Sequence, residues 1–261
     1  MDRIRGIEAA LQKPRVQFLY LHHVFKDEEK KFEELIQTLS KQHKFISYSE
    51  AVEKVLQRKI DKPYISISMD DGFKNNIKAA EILKEFNAPC CFFINPEIIG
   101  KTSHVEIETY CREKLGIRPI EFMNWNDIEL LQKMGHEIGS HTMEHINVGS
   151  IDRDVFEADC KKTFEILMSR CGAAKHFAFP YGRYFHFSEE AFKTVFNVGY
   201  YSCATAERGC YINPMHNLQH DELCIMRDHI IAHWPINHSL YFLGNNARKV
   251  MANSYLHPFK S

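Results

Sequence analysis

Tyr64-Ile65-Ser66-Ile67-Ser68-Met69-Asp70-Asp71-Gly72 reads as a strand that runs straight into two acids and a glycine. Lys62-Pro63 punctuates its start, because proline is confined to the beginnings and edges of strands, and Asp-Asp-Gly is turn chemistry at its end. A second run, His136-Glu137-Ile138-Gly139-Ser140, leads in the same way into His141-Thr142-Met143-Glu144-His145. In parallel α/β folds the carboxyl ends of strands gather on one face, so residues far apart in sequence meet there.

Working outward, the pattern repeats. Upstream, Val16 to Leu21 is a strand that enters His22-His23. A helix carrying Phe32, Leu35, Ile36 and Leu39 at helical spacing follows, then a short strand near Phe45 to Ser47 and a helix near Ser49 to Gln57. Downstream, a helix around 76 to 86 bears Ala80, Ile82, Leu83 and Phe86, and Pro89 to Ile94 is a buried strand by its unbroken apolar run. Residues 96 to 121 have weaker periodicity and read as an insertion with a helix over the site. Asn126 to Met134 is an amphipathic helix closed by Gly135. Asp152 to Arg170 is the longest helix, with Val155, Phe156, Phe164 and Leu167 as its expected core face. A strand at His176 to Phe179 reaches Pro180-Tyr181-Gly182, and Ser188 caps a helix ending near Gly199. Tyr200 to Ala204 and Leu223 to Met226 read as the last strands, Ser239 to Ala252 as a terminal helix. This alternation predicts an α/β fold whose parallel sheet closes, or nearly closes, into a TIM-barrel-like barrel. Residues 1–261 are expected to form one domain.

Bulk properties narrow the function classes. A chain of 261 residues, 44% of them hydrophobic, can bury a full core. Its 33 Lys plus Arg nearly balance 34 Asp plus Glu, so the net charge of −1 gives no general attraction to nucleic acid or to an anionic membrane. Asp2, Arg3, Arg5, Glu8, Lys13 and Arg15 leave no apolar export segment, and no later run is long enough to span a bilayer, so a cytoplasmic location is expected. The eight cysteines form no C-x-x-C pair and interrupt apolar segments, as buried reduced thiols do.

An aspartate and two histidines, with positions left for water and substrate, make the ligand count of a catalytic metal site, and zinc is the first expectation. Such an ion polarises an amide carbonyl and lowers the pKa of bound water toward about 7. His141 and His145 fall on one side if the chain makes a helical turn after the strand. Asp70 and Asp71 cannot both point the same way from an extended chain, which divides them into one ligand and one base.

Ile67 to Gly72, Gly139-Ser140-His141-Thr142-Met143-Glu144-His145 and Phe177-Ala178-Phe179-Pro180-Tyr181-Gly182 resemble the first three motifs of the polysaccharide deacetylases, carbohydrate esterase family 4, in order and spacing over roughly residues 15 to 230. The resemblance implies a distorted (β/α)7-type barrel. It implies that Asp71, His141 and His145 hold zinc or a similar divalent ion such as cobalt or nickel, that Asp70 is the general base, and that the Tyr181 backbone N–H helps stabilise an oxyanion.

Two departures from the family pattern carry expectations of their own. No clear late L-x-H motif supplies the acid histidine. Leu19-Tyr20-Leu21-His22-His23-Val24 resembles the Y-H-x-V segment of permuted relatives, which implies His22 as the acid, with His23 and His233 behind it. The family arginine three residues before the motif-three tyrosine is here Ala178. Arg227, in a segment resembling the L-x-R-I ending of those relatives, or Arg183 after the turn, would replace it.

The leading reading is a metal-dependent N-deacetylase acting on an amino-sugar glycan, oligosaccharide or glycolipid precursor. Its rivals are another C–N hydrolysis on the same scaffold, such as deformylation of a sugar or opening of a ureide, and an inactive metal-containing carbohydrate-binding module. Trp125, Trp234, Tyr181, Tyr184, Phe185 and Phe187 are candidate sugar-stacking rings.

Overall fold

The computed structural model describes residues 2–213, 218–252 and 259. After α1 (Asp2–Leu11), the chain lays down β1 (Arg15–Leu21), α2 (Glu29–Ser40), β2 (Lys44–Phe45), α3 (Tyr48–Leu56), β3 (Pro63–Met69), α4 (Asn76–Glu85) and β4 (Cys90–Ile94). Then come α5 (His104–Tyr110), a π-helical turn (Cys111–Leu115), α6 (Trp125–Lys133), β5 (Glu137–Ser140), α7 (Arg153–Cys171), β6 (His176–Ala178), α8 (Glu189–Val198) and β7 (Ser202–Ala204). β8 (Cys224–Ile225), β9 (Arg227–His229) and α9 (Ile236–Ala252) complete it.

The strands pair in parallel in the order β8-β7-β6-β5-β4-β3-β1-β9, with β2 also on β3. β8 and β9 lie at opposite ends of that order, yet only Met226 separates them in sequence. One continuous stretch therefore pairs with β7 through Cys224–Ile225 and with β1 through Arg227–His229, bridging the two ends of the sheet into a nearly closed barrel. The expected strand Leu223 to Met226 is the first half of this bridge.

Side chains alternate along each strand between two cores. Val16, Phe18, Cys91, Phe93, Ala178, Ala204 and Ile225 fill the barrel interior. Leu19, Leu21, Ile65, Ile67, Met69, Cys90, Phe92 and Ile94 face outward under the helices. Strands covered on both faces are apolar throughout, which is why they stand out in the sequence. In β3 the inward positions after Tyr64 are small and polar, Ser66 and Ser68, and the next inward position is Asp70.

Ser188 accepts from the Ala191 N–H and caps α8, as its sequence indicates. α7 differs in one respect: its buried face is Phe156, Cys160, Thr163 and Leu167, and Val155 is exposed. The stripe that meets the barrel and α8 runs through Cys160 and Thr163, one position round the helix from Val155. All eight cysteines are free, and all but Cys171 are fully buried. Among the described residues no helix is long and apolar enough to cross a membrane.

Candidate metal centre

Asp71 follows β3, and His141 and His145 follow β5. Their ligand atoms lie within 4.8 Å of one another, and all three residues are buried. Each imidazole Nε2 stands 3.6 Å from Asp71 Oδ1. His141 Nδ1 donates to the Ala178 carbonyl at 2.8 Å. A carbonyl can only accept, so the ring proton sits on Nδ1 and Nε2 keeps its lone pair toward Asp71.

Three further observations fit a divalent cation. Asp71 Oδ1 is buried without a hydrogen-bond partner among the described residues. Burial holds His141 down to about 4, and burial followed by the neighbouring His141 and His22 holds His145 down to about 3, so both rings are free bases. Burial, then the Asp70 charge, pushes the Asp71 carboxyl well above its ordinary range, a cost that a bound cation reverses.

The backbone around these residues is strained. Of the six non-glycine residues with positive φ among those described, four are Asp71 (+73°), Thr142 (+64°), His145 (+56°) and Tyr181 (+60°). Left-handed backbone costs a β-branched residue such as Thr142 on the order of 1–3 kcal/mol, and such strain persists where surrounding contacts over-determine it. Asn95, at the tip of β4, donates to the His141 carbonyl and to the Thr142 carbonyl at 3.0 Å. The Asp159 carboxylate accepts the Met143 N–H at 3.2 Å. Neither Asn95 nor Asp159 belongs to a sequence motif, and only the fold brings them to the loop.

Asp70 faces the other way. Its two oxygens accept from Arg227 Nη1 and Nη2 at 2.8 and 2.9 Å, a bidentate pair in which both side chains are buried. Arg227 also donates to Ser68 Oγ and to the Thr205 carbonyl, and its guanidinium lies over the Tyr20 ring at 4.5 Å. Burial alone would raise Asp70, but the Arg227 charge, with His141, holds its carboxyl below the ordinary value. Arg183, the other candidate for the missing cation, instead pairs with Glu207 at 3.0 Å and is exposed.

His22 lies at the tip of β1, tied there by Asn76, whose amide donates to its carbonyl at 2.9 Å. Burial lowers its proton affinity and the Asp70 charge opposes that, which places the imidazole within the field of the acid pair. His229 packs edge-on to His22, with ring centres 5.1 Å apart, and stacks on Tyr20 at 4.8 Å. The sequence gives no signal for His229, since it belongs to the bridging stretch. His233 is exposed and held by Glu28 at 2.8 Å, and His23 also leans toward Glu28, at 3.8 Å.

In the third motif Gly182 N–H donates back to Pro180 O at 2.6 Å, with Tyr181 at the left-handed apex between them. A side chain at Gly182 would place Cβ 2.5 Å from Ala206 N, so the turn needs glycine. The Tyr181 N–H donates to no acceptor among the described residues. The Tyr181 ring packs 4.8 Å from His145 and is 44% exposed, whereas Phe187 is buried against Phe179 and Trp125 packs under Arg170.

A comparison with curated proteins finds no match. Among solved structures, the chain is similar to the Streptococcus pyogenes deacetylase PplD in complex with acetate, with a TM-score of 0.70 and 15% identity over 88% of this chain and 99% of that one. It is also similar to IcaB from Ammonifex degensii, at 0.67 and 17% over 91% and 98%. A third is BC0361, a polysaccharide deacetylase from Bacillus cereus, at 0.68 and 16% over 89% and 69%. These likenesses establish the barrel fold. The model of the polysaccharide deacetylase family matches residues 57–201, over half of the sequence and all three motifs. With that match, this chain belongs to the polysaccharide deacetylase family.

Proposed function

We propose that the chain is a metal-dependent N-deacetylase that hydrolyses an N-acetyl amide on an amino sugar of a glycan, oligosaccharide or glycolipid precursor. The observation that carries this reading is the split between the two acids: Asp71 faces two imidazoles, and Asp70 faces Arg227. Asp71, His141 and His145 would hold the ion, with zinc favoured by the donor set and cobalt or nickel as alternatives. When bound, the ion supplies Lewis acidity toward the amide carbonyl and the attacking water.

The remaining steps belong to the chain. Asp70, kept ionised by Arg227, takes a proton from water as its oxygen adds to the acetamide carbon. The Tyr181 N–H donates to the oxygen on which charge develops. His22, at the tip of β1, gives its proton to the nitrogen as the C–N bond breaks; burial lowers its proton affinity and the Asp70 charge offsets part of that. Acetate and a free amine leave.

Asp70→Asn should retain the metal and lose about 10²–10⁴-fold in turnover, the usual contribution of a positioned base. Acetate release from N-acetylated oligosaccharides, measured alongside metal content, checks this. Full activity in the variant discards the mechanism.

A further inference from the structure

The segment between β4 and α6 touches all three motifs. Its apolar cluster of Ile98, Ile107, Tyr110, Cys111 and Phe122 closes on Phe73, the residue after Gly72. Met123 N–H donates to the Gly72 carbonyl at 2.9 Å, and Glu97 N–H donates to the Met143 carbonyl at 3.2 Å. One residue of this segment joins the second motif to the third. The Lys114 carbonyl accepts from the Tyr181 hydroxyl at 3.0 Å, and its ammonium pairs with Glu144 at 3.0 Å. Glu144 is the residue immediately before His145.

Lys114 sits in the π-helical turn Cys111–Leu115, which Gly116 ends in left-handed conformation. A π turn lengthens the backbone hydrogen-bond spacing, and such turns recur at functional sites. Tyr181 and His145 both hold left-handed backbone, and strained conformations of this kind need external ties. The Tyr181 ring stands 4.8 Å from the His145 ring, so a tie on one bears on the other.

We propose that Lys114 is a positioning residue that staples the turn carrying Tyr181 to the loop carrying His145, fixing the distance between the Tyr181 N–H and the metal ligands. Its kinetic consequence rests on the hydrolase reading above, whereas its effect on metal affinity rests only on the Asp-His-His geometry. Lys114 touches no reacting atom.

The test uses the full chain with Lys114→Met, Lys114→Arg and Tyr181→Phe. Lys114→Met removes the ammonium and keeps the carbonyl. Tyr181→Phe removes the hydroxyl and keeps the backbone N–H. Each breaks one tie of ordinary hydrogen-bond strength, so kcat on an N-acetylglucosamine tetramer should fall about fivefold in both, with KM within about twofold. Zinc affinity by calorimetry should weaken about threefold in Lys114→Met, and Lys114→Arg should restore both quantities. Wild-type kcat and zinc affinity in both Lys114→Met and Tyr181→Phe would overturn the staple while leaving the hydrolase reading intact. A wild-type chain that binds zinc but turns over no amide probe would sink the hydrolase reading. Zinc affinity in Lys114→Met against Lys114→Arg then decides the staple by itself: a restored loss supports it, and no loss overturns it.

Discussion

Asp70 and Asp71 are neighbours, both buried, with opposite proton preferences. Arg227 holds the Asp70 carboxyl low against the cost of burial, whereas burial and then the Asp70 charge drive the Asp71 carboxyl high. The pair with Arg227 is bidentate and desolvated, so removing one partner strands a buried charge. Arg227→Met is expected to cost about 3–5 kcal/mol of stability in urea unfolding, and Arg183→Met, at an exposed ion pair, under about 1 kcal/mol. Equal, small losses in both variants would show that Asp70 does not depend on Arg227. The two acids, His141 and His145, and the Pro-Tyr-Gly turn stand out in the sequence because each group falls within one short motif. Arg227 is only one of two candidates there, since it meets Asp70 across 157 positions. His229, Asn95, Asp159 and Lys114 give no local signal at all, because their contacts form only when distant loops converge.

At the scale of elements, the start of α3 shows how a strand residue stabilises a helix beyond the sheet. The Glu137 carboxylate, at the head of β5, accepts the Tyr48 and Ser49 N–H groups, which lie at the positive end of the helix dipole. Burial would raise its proton affinity, but His176, then Ser49, hold it down to about 2 against an ordinary 4.5. A depressed carboxylate contributes stability that is complete above about 4.5 and is lost as pH falls toward about 2. Glu137→Gln should therefore cost about 1–2 kcal/mol at pH 7, with the gap narrowing through that acid window and closing at its lower end. Stability curves measured against pH check this, and a gap that ignores pH would contradict it. Most elements are legible because apolar periodicity marks helices and unbroken apolar runs mark strands covered on both faces. Val155 is misplaced because periodicity gives a helix's apolar side only to within a residue, and packing selects the stripe.

Over the whole molecule, the alternation of strands and helices announces a parallel barrel, but its closure is hidden in the sequence. The stretch from Cys224 to His229 serves β7 with its first residues and β1 with its last, and no local pattern distinguishes that from a single strand. Closure brings the tips of β1, β3, β5, β6 and β9 together. The Asp71-His141-His145 cluster, the pair of acids, His22 and the Tyr181 turn are therefore products of the complete barrel and not of any one motif. The orphaned Asp71 oxygen between two free-base imidazoles is where that convergence leads. The most direct test is the zinc content of the purified, zinc-supplied full chain beside its Asp71→Ala variant. One ion per chain in the wild type and none in the variant is the expected result; a wild type without zinc, or a variant that keeps it, would contradict the assignment.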